Sequence, residues 1–397
     1  MCDVINRNNG SRHTFRFHGE GLKYFGICLV NFLLSIVTLG IFVPWAMVRS
    51  RRYIYQNMEL NGVRFDYHAS GGALLASWLL FFVLYSIIIV VMRLIHPAFG
   101  SLALLLLMLV MPFLMVKSLQ YNAMMTTLNN VRFAFNCSMK SAWWVMMGLP
   151  LVLLLALFLV VFVLAQIMFR DYDLNGMIVK GALLALIFFV GINLINGYVY
   201  AKWIALTGKS GQFGIHKFNI TVSAEKCIVI CLLSLCILIP FIALMVFLGM
   251  GIYSNLLMAR YLGAADALEM LNSLYAQIAV FYSVYLLAIL VSSSYIWQAL
   301  RNHFMNNLTL ADERIRFHST LSFHGVVLQV LLLVVVSMIT LGLAYPWMKI
   351  RFLRFLAVNS HVDGDLDSIE LTDHDQQVDK GFIAVVSRGL MPVVPFI

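Results

Sequence analysis

Charge is what this chain has least of. Asp, Glu, Lys and Arg fill only 11% of its 397 positions while hydrophobic residues fill 62%, against about one quarter charged in soluble domains. A soluble fold has no way to hide so much apolar surface, so that class is excluded. Cysteine is sparse too: Cys2, Cys28, Cys137, Cys227, Cys231 and Cys236 contain no C-x-x-C pair, and five of them lie in or near apolar segments. Such spacing suits reduced, packed thiols rather than a disulfide framework or a zinc site. Also missing are a Walker loop, a dinucleotide fingerprint, G-x-S-x-G and paired carboxylates, so the chain reads as no enzyme and as needing no cofactor.

What the chain does contain is long apolar runs: Leu22–Val48, Ala73–Ile95, Ser101–Val116, Ala142–Met168, Ile178–Leu206, Cys227–Met250, Ile278–Leu300 and Val326–Trp347. A helix needs about 20 residues to cross a hydrocarbon core of roughly 30 Å. Continuous rather than alternating runs require helices, so the fold class is an all-α polytopic membrane protein. The polar N-terminus with Arg7, Arg12 and Arg16, followed by a run without a small-residue cleavage site, reads as an uncleaved first segment.

A net charge of +9 does not imply nucleic acid here, because the cations sit at the ends of apolar runs. Arg49, Arg51, Arg52 and Arg64 follow the first run, Lys117, Arg132 and Lys140 the third, Lys202, Lys209, Lys217 and Lys226 the fifth, and Arg301, Arg314 and Arg316 the seventh. Those loops are expected in the cytoplasm by the positive-inside rule. Arg52-Tyr53, Lys202-Trp203, Trp297 with Arg301 and Trp347 with Lys349 read as water–lipid anchors.

The two ends of the chain repeat each other. Ser35, Thr38, Leu39, Gly40, Pro44, Trp45, Arg49, Arg52, Asn57 and Gly62 recur 302 positions later as Ser337, Thr340, Leu341, Gly342, Pro346, Trp347, Arg351, Arg354, Asn359 and Gly364, a register chance does not keep. A second repeat lies in the loops, where Leu60-Asn61-Gly62-Val63-Arg64-Phe65 matches Leu128-Asn129-Asn130-Val131-Arg132-Phe133, with weaker echoes at Ile215–Phe218 and Ile315–Phe317. Asn-Gly and Asn-Asn between short β-prone runs favour tight hairpin turns. Five strand motifs at Phe15, Phe65, Phe133, Phe218 and Phe317 therefore precede five hydrophobic units, as short cytoplasmic β-hairpins.

If all five motifs share one side of the membrane, an even number of crossings must separate them. The first and last units hold a single apolar run each, and both ends of each run are comparably basic. One resolution makes Leu22–Gln56 and Val326–Leu356 re-entrant hairpins, broken at Thr38-Leu39-Gly40 and Thr340-Leu341-Gly342, with both termini cytoplasmic. Glycine ends a helix and proline opens one, in the order present. The other makes them ordinary spans kinked at proline, with the termini outside. The reading is six to eight membrane segments. It divides the chain into an N-terminal repeat unit (1–72), central membrane hairpins (73–314), a C-terminal repeat unit (315–366) and a polar segment with tail (367–397).

The motifs T-L-G-I-F-V-P-W-A-M-V-R-S-R-R-Y at Thr38–Tyr53, N-G-V-R-F-D-Y at Asn61–Tyr67 and D-K-G-F-I-A-V-V-S-R-G-L-M-P-V-V-P-F at Asp379–Phe396 resemble the YjgN family of bacterial inner-membrane proteins. The resemblance covers nearly the whole chain and implies inner-membrane localisation and a multi-pass helical architecture. It implies no activity, ligand or catalytic residue.

Polar residues inside apolar runs are the main functional lead, since lipid cannot satisfy them. Asn31, Ser35 and Gln166 are isolated; Asn193 and Asn196 share one face of the fifth segment, and Ser292, Ser293, Ser294 and Gln298 lie in the seventh. They are expected to face each other or a common wet cavity, as a polar pathway or as helix–helix glue. Arg64, Arg132, Lys217 and Arg316, one per loop repeat, are candidate contacts for anionic lipid. Among the ten histidines, His18, His68, His303, His318 and His324 show no metal-ligand spacing. The acidic cluster Asp363, Asp365, Asp367, Glu370, Asp373 and Asp375 lacks calcium-loop register and reads as solvated surface or as a partner of the basic loops. Two function classes follow: transport or permeation of a small solute, favoured by the matched helix breaks, and a lipid-interacting scaffold without transport.

Overall fold

The computed structural model describes residues 12–96, 99–170, 174–259, 264–366, 372–373 and 377–389. Cys2, Arg7, Asp367, Glu370, Asp375 and the end of the C-terminal motif lie outside them.

The chain is built from one unit used five times. In each unit a strand leads through a three-residue link (18–20, 68–70, 136–138, 221–223 or 320–322) into a helix, a second helix returns, and the next strand follows almost at once. Serine begins four of the first helices. Ser70, Ser138, Ser223 and Ser322 accept the backbone N–H three residues on, satisfying a donor that helix geometry leaves open. Asparagine ends three of the returning helices. The Asn57, Asn307 and Asn359 side-chain amides donate to the carbonyls of Tyr53, His303 and Phe355.

The paired helices are α1 (Gly21–Val37) with α2 (Val43–Gln56), α3 (Gly71–Ile95) with α4 (Gly100–Met124), α5 (Met139–Trp143) continuing through a π-turn into α6 (Leu149–Met168) with α7 (Leu174–Ser210), α8 (Ala224–Ala259) with α9 (Ala264–Asn306), and α10 (Phe323–Ile339) with α11 (Tyr345–Val358). Among the described residues, six helical stretches are long and apolar enough to span a bilayer, and Gly21–Val37 and Phe323–Ile339 are shorter apolar helices. The protein is therefore a polytopic helical membrane protein. Helices pack chiefly on their chain neighbours, and α11 packs back on α1, so the helices close a ring. The breaks expected at Thr38–Gly40 and Thr340–Gly342 are present, with Leu39, Gly40, Leu341 and Gly342 at positive φ and Pro44 and Pro346 in the first turn of the returning helix.

The strands are β1 (Arg12–Thr14), β2 (Arg16–Phe17), β3 (Met58–Leu60), β4 (Val63–Tyr67), β5 (Thr126–Leu128), β6 (Val131–Phe135), β7 (Gly211–Phe213), β8 (His216–Ile220), β9 (Leu308–Leu310), β10 (Ile315–Ser319) and β11 (Ser360–Asp363). The sequence predicts separate hairpins. Instead, all eleven strands among the described residues form one antiparallel sheet whose ends are β1 and β2. These two are halves of one strand joined at Phe15: Arg12 and Thr14 pair with Asp363 and His361, while Arg16 and Phe17 pair with Glu59 and Met58. The sheet is thus a closed barrel, and closure leaves no edge exposed. Hairpin turns fall at Asn61-Gly62 (φ 50° and 80°) and Asn129-Asn130 (51° and 62°), the conformation that asparagine and glycine tolerate.

The C-terminal segment is clamped to the α3–α4 pair by a short helix, α12 (Phe382–Ser387). The Ser77 hydroxyl donates to the Val386 carbonyl at 2.6 Å and accepts from the Gly389 N–H at 2.8 Å. Trp78 donates its indole N–H to the Gly389 carbonyl at 2.8 Å.

Candidate functional site: the barrel lumen and the interfacial belt

Alternation along each strand sends one set of side chains inward. Leu60, Val131, Phe213, Leu310, Ile315 and Val362 form a buried cluster with Phe15, Phe65, Phe133, Phe218 and Phe317 packed on it. These five phenylalanines occupy the same register position in the five units. Ring centroids lie 6.4 Å apart for Phe15–Phe65, 6.2 Å for Phe65–Phe133 and 5.9 Å for Phe218–Phe317, and Phe133 meets Phe213 at 4.7 Å. A barrel slightly wider than eight strands needs large side chains to fill it, and aromatic ones do so here. The lumen is a packed apolar core. Each of these phenylalanines is visible in the sequence, but their convergence is not.

The outward set includes Arg64, Arg132, Lys217 and Arg316, all exposed. They stand in equivalent pairings opposite Glu59, Thr127, Gln212 and Thr309. Each lies close after its hairpin turn, six residues of chain before the N-cap serine or its equivalent, which is a reach on the order of 20 Å for extended chain. Arg132 lies 3.8 Å from Asp373 and Arg316 3.4 Å from Glu313. Asp363 similarly meets Arg12 at 3.7 Å and His318 at 3.2 Å. Of the acidic cluster, Asp363 and Asp373 therefore dock on basic barrel positions.

The polar residues of the membrane helices do not converge as expected. α7 and α9 each pack along α8 rather than along one another. Asn193 donates to the Phe189 carbonyl of its own helix and Asn196 is exposed. Ser292 and Ser294 are buried, while exposed Ser293 donates to the Leu290 carbonyl. Gln298 donates to the Leu321 carbonyl at 2.6 Å, tying α9 to the link before α10. The i, i+3 spacing gives a shared helix face, but spacing cannot say which helix lies opposite. Cavities of about 190 Å³ beside α4 and the C-terminal segment, and of about 500 Å³ at the β4–β5 turns, are lined by no residue of α7 or α9.

Nearer the helix bases, exposed and half-buried cations alternate with rings. Lys202 stands 5.2 Å from the Tyr198 ring and Lys349 about equally close to Tyr24 and Tyr345, at 5.8 and 5.7 Å. Arg49 and Arg351, midway along α2 and α11, and Lys140 and Lys226, in the first turns of α5 and α8, are exposed. Inside this belt Tyr67 is buried against Arg51, 6.0 Å from its ring. Burial pushes the phenol up to about 12, only partly opposed by Arg51, so it remains a neutral donor to Asn122 at 2.8 Å. The histidines serve as local partners: His18 to Glu59 at 2.9 Å, His68 to Thr127 at 3.1 Å and His303 to Asn307 at 3.1 Å. Among the described residues no three His, Cys, Asp or Glu side chains group as a metal site.

The sequence repeat also hid a contact. Trp45 lies over Gly71 of the next unit and Trp347 over Gly21, each so close that a Cβ on the glycine would meet the indole Cδ1. The tryptophan of each P-W motif thus fills a slot in the following unit. The paired occurrence of glycine at the start of α1 and α3 was its only signal.

A closed β-barrel with an aromatic core, carried on a ring of membrane helices with a cation–aromatic belt at their bases, defines a multi-pass membrane protein. Residues 12–383 match the family described as "Bacterial protein of unknown function (DUF898)". The chain is 44% identical to "Inner membrane protein YjgN" of Salmonella typhimurium. It is 40% and 39% identical to two proteins of that name from Escherichia coli. All three alignments cover both chains in full. No solved structure matches. The chain belongs to the DUF898 family of inner-membrane proteins.

Proposed function

We propose that the chain is a lipid-interacting membrane scaffold without catalysis or transport, holding its barrel on the cytoplasmic face with both termini on that side. The observation that carries this reading is the lumen packed by five equivalent phenylalanines with Phe213, Leu310 and Val362. A coaxial route for a polar solute needs a wet lining, whereas Asn193, Ser293 and Gln298 are bonded to backbone carbonyls. In this reading α1–α2 and α10–α11 are re-entrant. Their ends attach to strands of one barrel, and fourteen-residue α2 and α11 extend only about 21 Å.

Anionic headgroups would meet Arg49, Lys202, Lys226 and Arg351 at the helix bases, each contributing about 1 kcal/mol, in preference to Arg64, Arg132, Lys217 and Arg316 near the turns. The test is binding to nanodiscs of phosphatidylglycerol against phosphatidylcholine across a salt series. Glutamine at the four base positions should abolish the salt-sensitive preference, and glutamine at the four strand positions should leave it. The reverse outcome, or no preference in the wild type, sinks the reading. A small-solute pathway retains one supporting feature, the matched helix breaks. Water-soluble thiol labelling of Asn196→Cys and Ser293→Cys together would restore it.

A further inference from the structure

The five units start from a common level, three residues beyond the barrel, but rise to different heights. First helices run 17 residues in α1, 25 in α3, 36 in α8 and 17 in α10. The two short units are neighbours, joined where α1 packs on α11, and are flanked by α3 through α2 and by α9 through α10. Being eight residues shorter than α3, α1 stops about 12 Å below it. A step is cut into the membrane domain there.

The tips of that step are apolar and bare. Leu39 and Leu341 are 94% and 93% exposed, and Val37, Ile41, Ile339 and Leu343 are exposed beside them. Their backbone N–H groups are nevertheless all bonded. At the first tip every N–H from Thr38 to Val43 has an acceptor: Leu34, Ile36, Ser35, Thr38 and Gly40 carbonyls, and the Thr38 hydroxyl for Phe42. The second tip repeats this from Thr340 to Tyr345, with the Thr340 hydroxyl accepting from Ala344. Each threonine hydroxyl in turn donates to a helix carbonyl, Leu34 or Val336, at 2.7 Å. A turn in water has no need of such closure, because water pairs with free N–H groups. In hydrocarbon every unpaired group costs several kcal/mol.

We propose that the paired short hairpins form a lipid-binding recess between α3 and α9, roofed by acyl chains of phospholipid from the opposite leaflet. The proposal rests on the re-entrant reading above. It follows from geometry: a dry, apolar floor about 12 Å below its neighbours lies within a membrane whose available apolar filler is lipid. Leu39 and Leu341 form the floor, and Thr38 and Thr340 keep it dry by tying off the turn.

The test is a nitroxide label on Leu39→Cys or Leu341→Cys of the full-length protein. It is reconstituted in phosphatidylethanolamine–phosphatidylglycerol vesicles, with Val90→Cys on α3 as a lipid-facing control. Both tip labels should be accessible to oxygen, inaccessible to a water-soluble nickel chelate, and relaxed by lipids bearing a paramagnetic group at the chain end. Nickel access at either tip overturns the proposal in favour of a wet recess. Absence of both oxygen and lipid relaxation overturns it in favour of a protein cover. A reporter fused at the C-terminus separates the two readings. Periplasmic activity sinks re-entry itself, whereas cytoplasmic activity with nickel access sinks only the lipid roof.

Discussion

Replacing Gly71 with alanine should destabilise the protein, although the helix that begins there would ordinarily gain from the change. Gly71 is the first residue of α3, and exchanging glycine for alanine in a helix is worth about 0.5–1 kcal/mol in alanine's favour. The added Cβ, however, would lie 2.4 Å from both Cδ1 and Cγ of Trp45 and 2.8 Å from Nε1. Those are the root atoms of the indole, not a flexible end, and buried Pro44 immediately before it holds the backbone. The ring cannot swing aside without leaving its rotamer, so a net loss of about 1–3 kcal/mol is expected from overpacking.

The same substitution at Gly21 should behave alike or worse, because Trp347 is stacked on Phe25 at 4.3 Å and has less room to yield. Removing the clash provides the internal control. Gly71→Ala combined with Trp45→Ala should cost less than the sum of the single changes, by an interaction energy within about 0.5–3 kcal/mol. The assay is the thermal unfolding midpoint in detergent at one fixed scan rate, since unfolding of such proteins is commonly irreversible. A wild-type or raised midpoint for Gly71→Ala, or strict additivity in the double variant, refutes the slot as the reason these glycines are there.

Two further outcomes follow from the barrel and its clamp. Gly62→Val should lower the midpoint by the equivalent of about 1–2 kcal/mol and Gly62→Asn by much less, because nothing lies within 4 Å of a Cβ there and the φ of +80° alone sets the cost; equal effects would show that the turn conformation is not what matters. Asp379 accepts from Lys117 at 2.6 Å, and that hydrogen bond, with the Gly381 N–H second, holds its carboxyl below the usual carboxylate range. A depressed pKa contributes stability above the unfolded value and loses it as pH falls through the folded one. Protease sensitivity of the C-terminal segment should therefore stay flat from pH 8 to about pH 5 and rise only below about pH 4, whereas Asp379→Asn should raise it at neutral pH.

Local chemistry made much of this protein legible. Runs of apolar residues announced the membrane helices because hydrocarbon tolerates nothing else over that length. Thr38-Leu39-Gly40 before Pro44 marked a helix end and restart, and Asn61-Gly62 marked a hairpin turn, since in both cases the backbone conformation is set within a few residues. The 302-position repeat and the recurring Arg-Phe pair showed that units were reused.

Only tertiary structure decided what those units do together. Nothing in Arg12–Phe17 says that its two halves pair with strands from opposite ends of the chain, Asp363 on one side and Glu59 on the other. Barrel closure, the five-phenylalanine lumen and the Trp347–Gly21 slot all go with that pairing. The same limit holds for Asn193, Asn196 and Gln298, whose spacing sets a helix face but not the neighbour it meets. Periodicity is a property of one helix or strand and is written in its own residues. Adjacency is a property of the whole closed ring, fixed by which strands and helices bury their surfaces against one another, and no short stretch of chain carries that information.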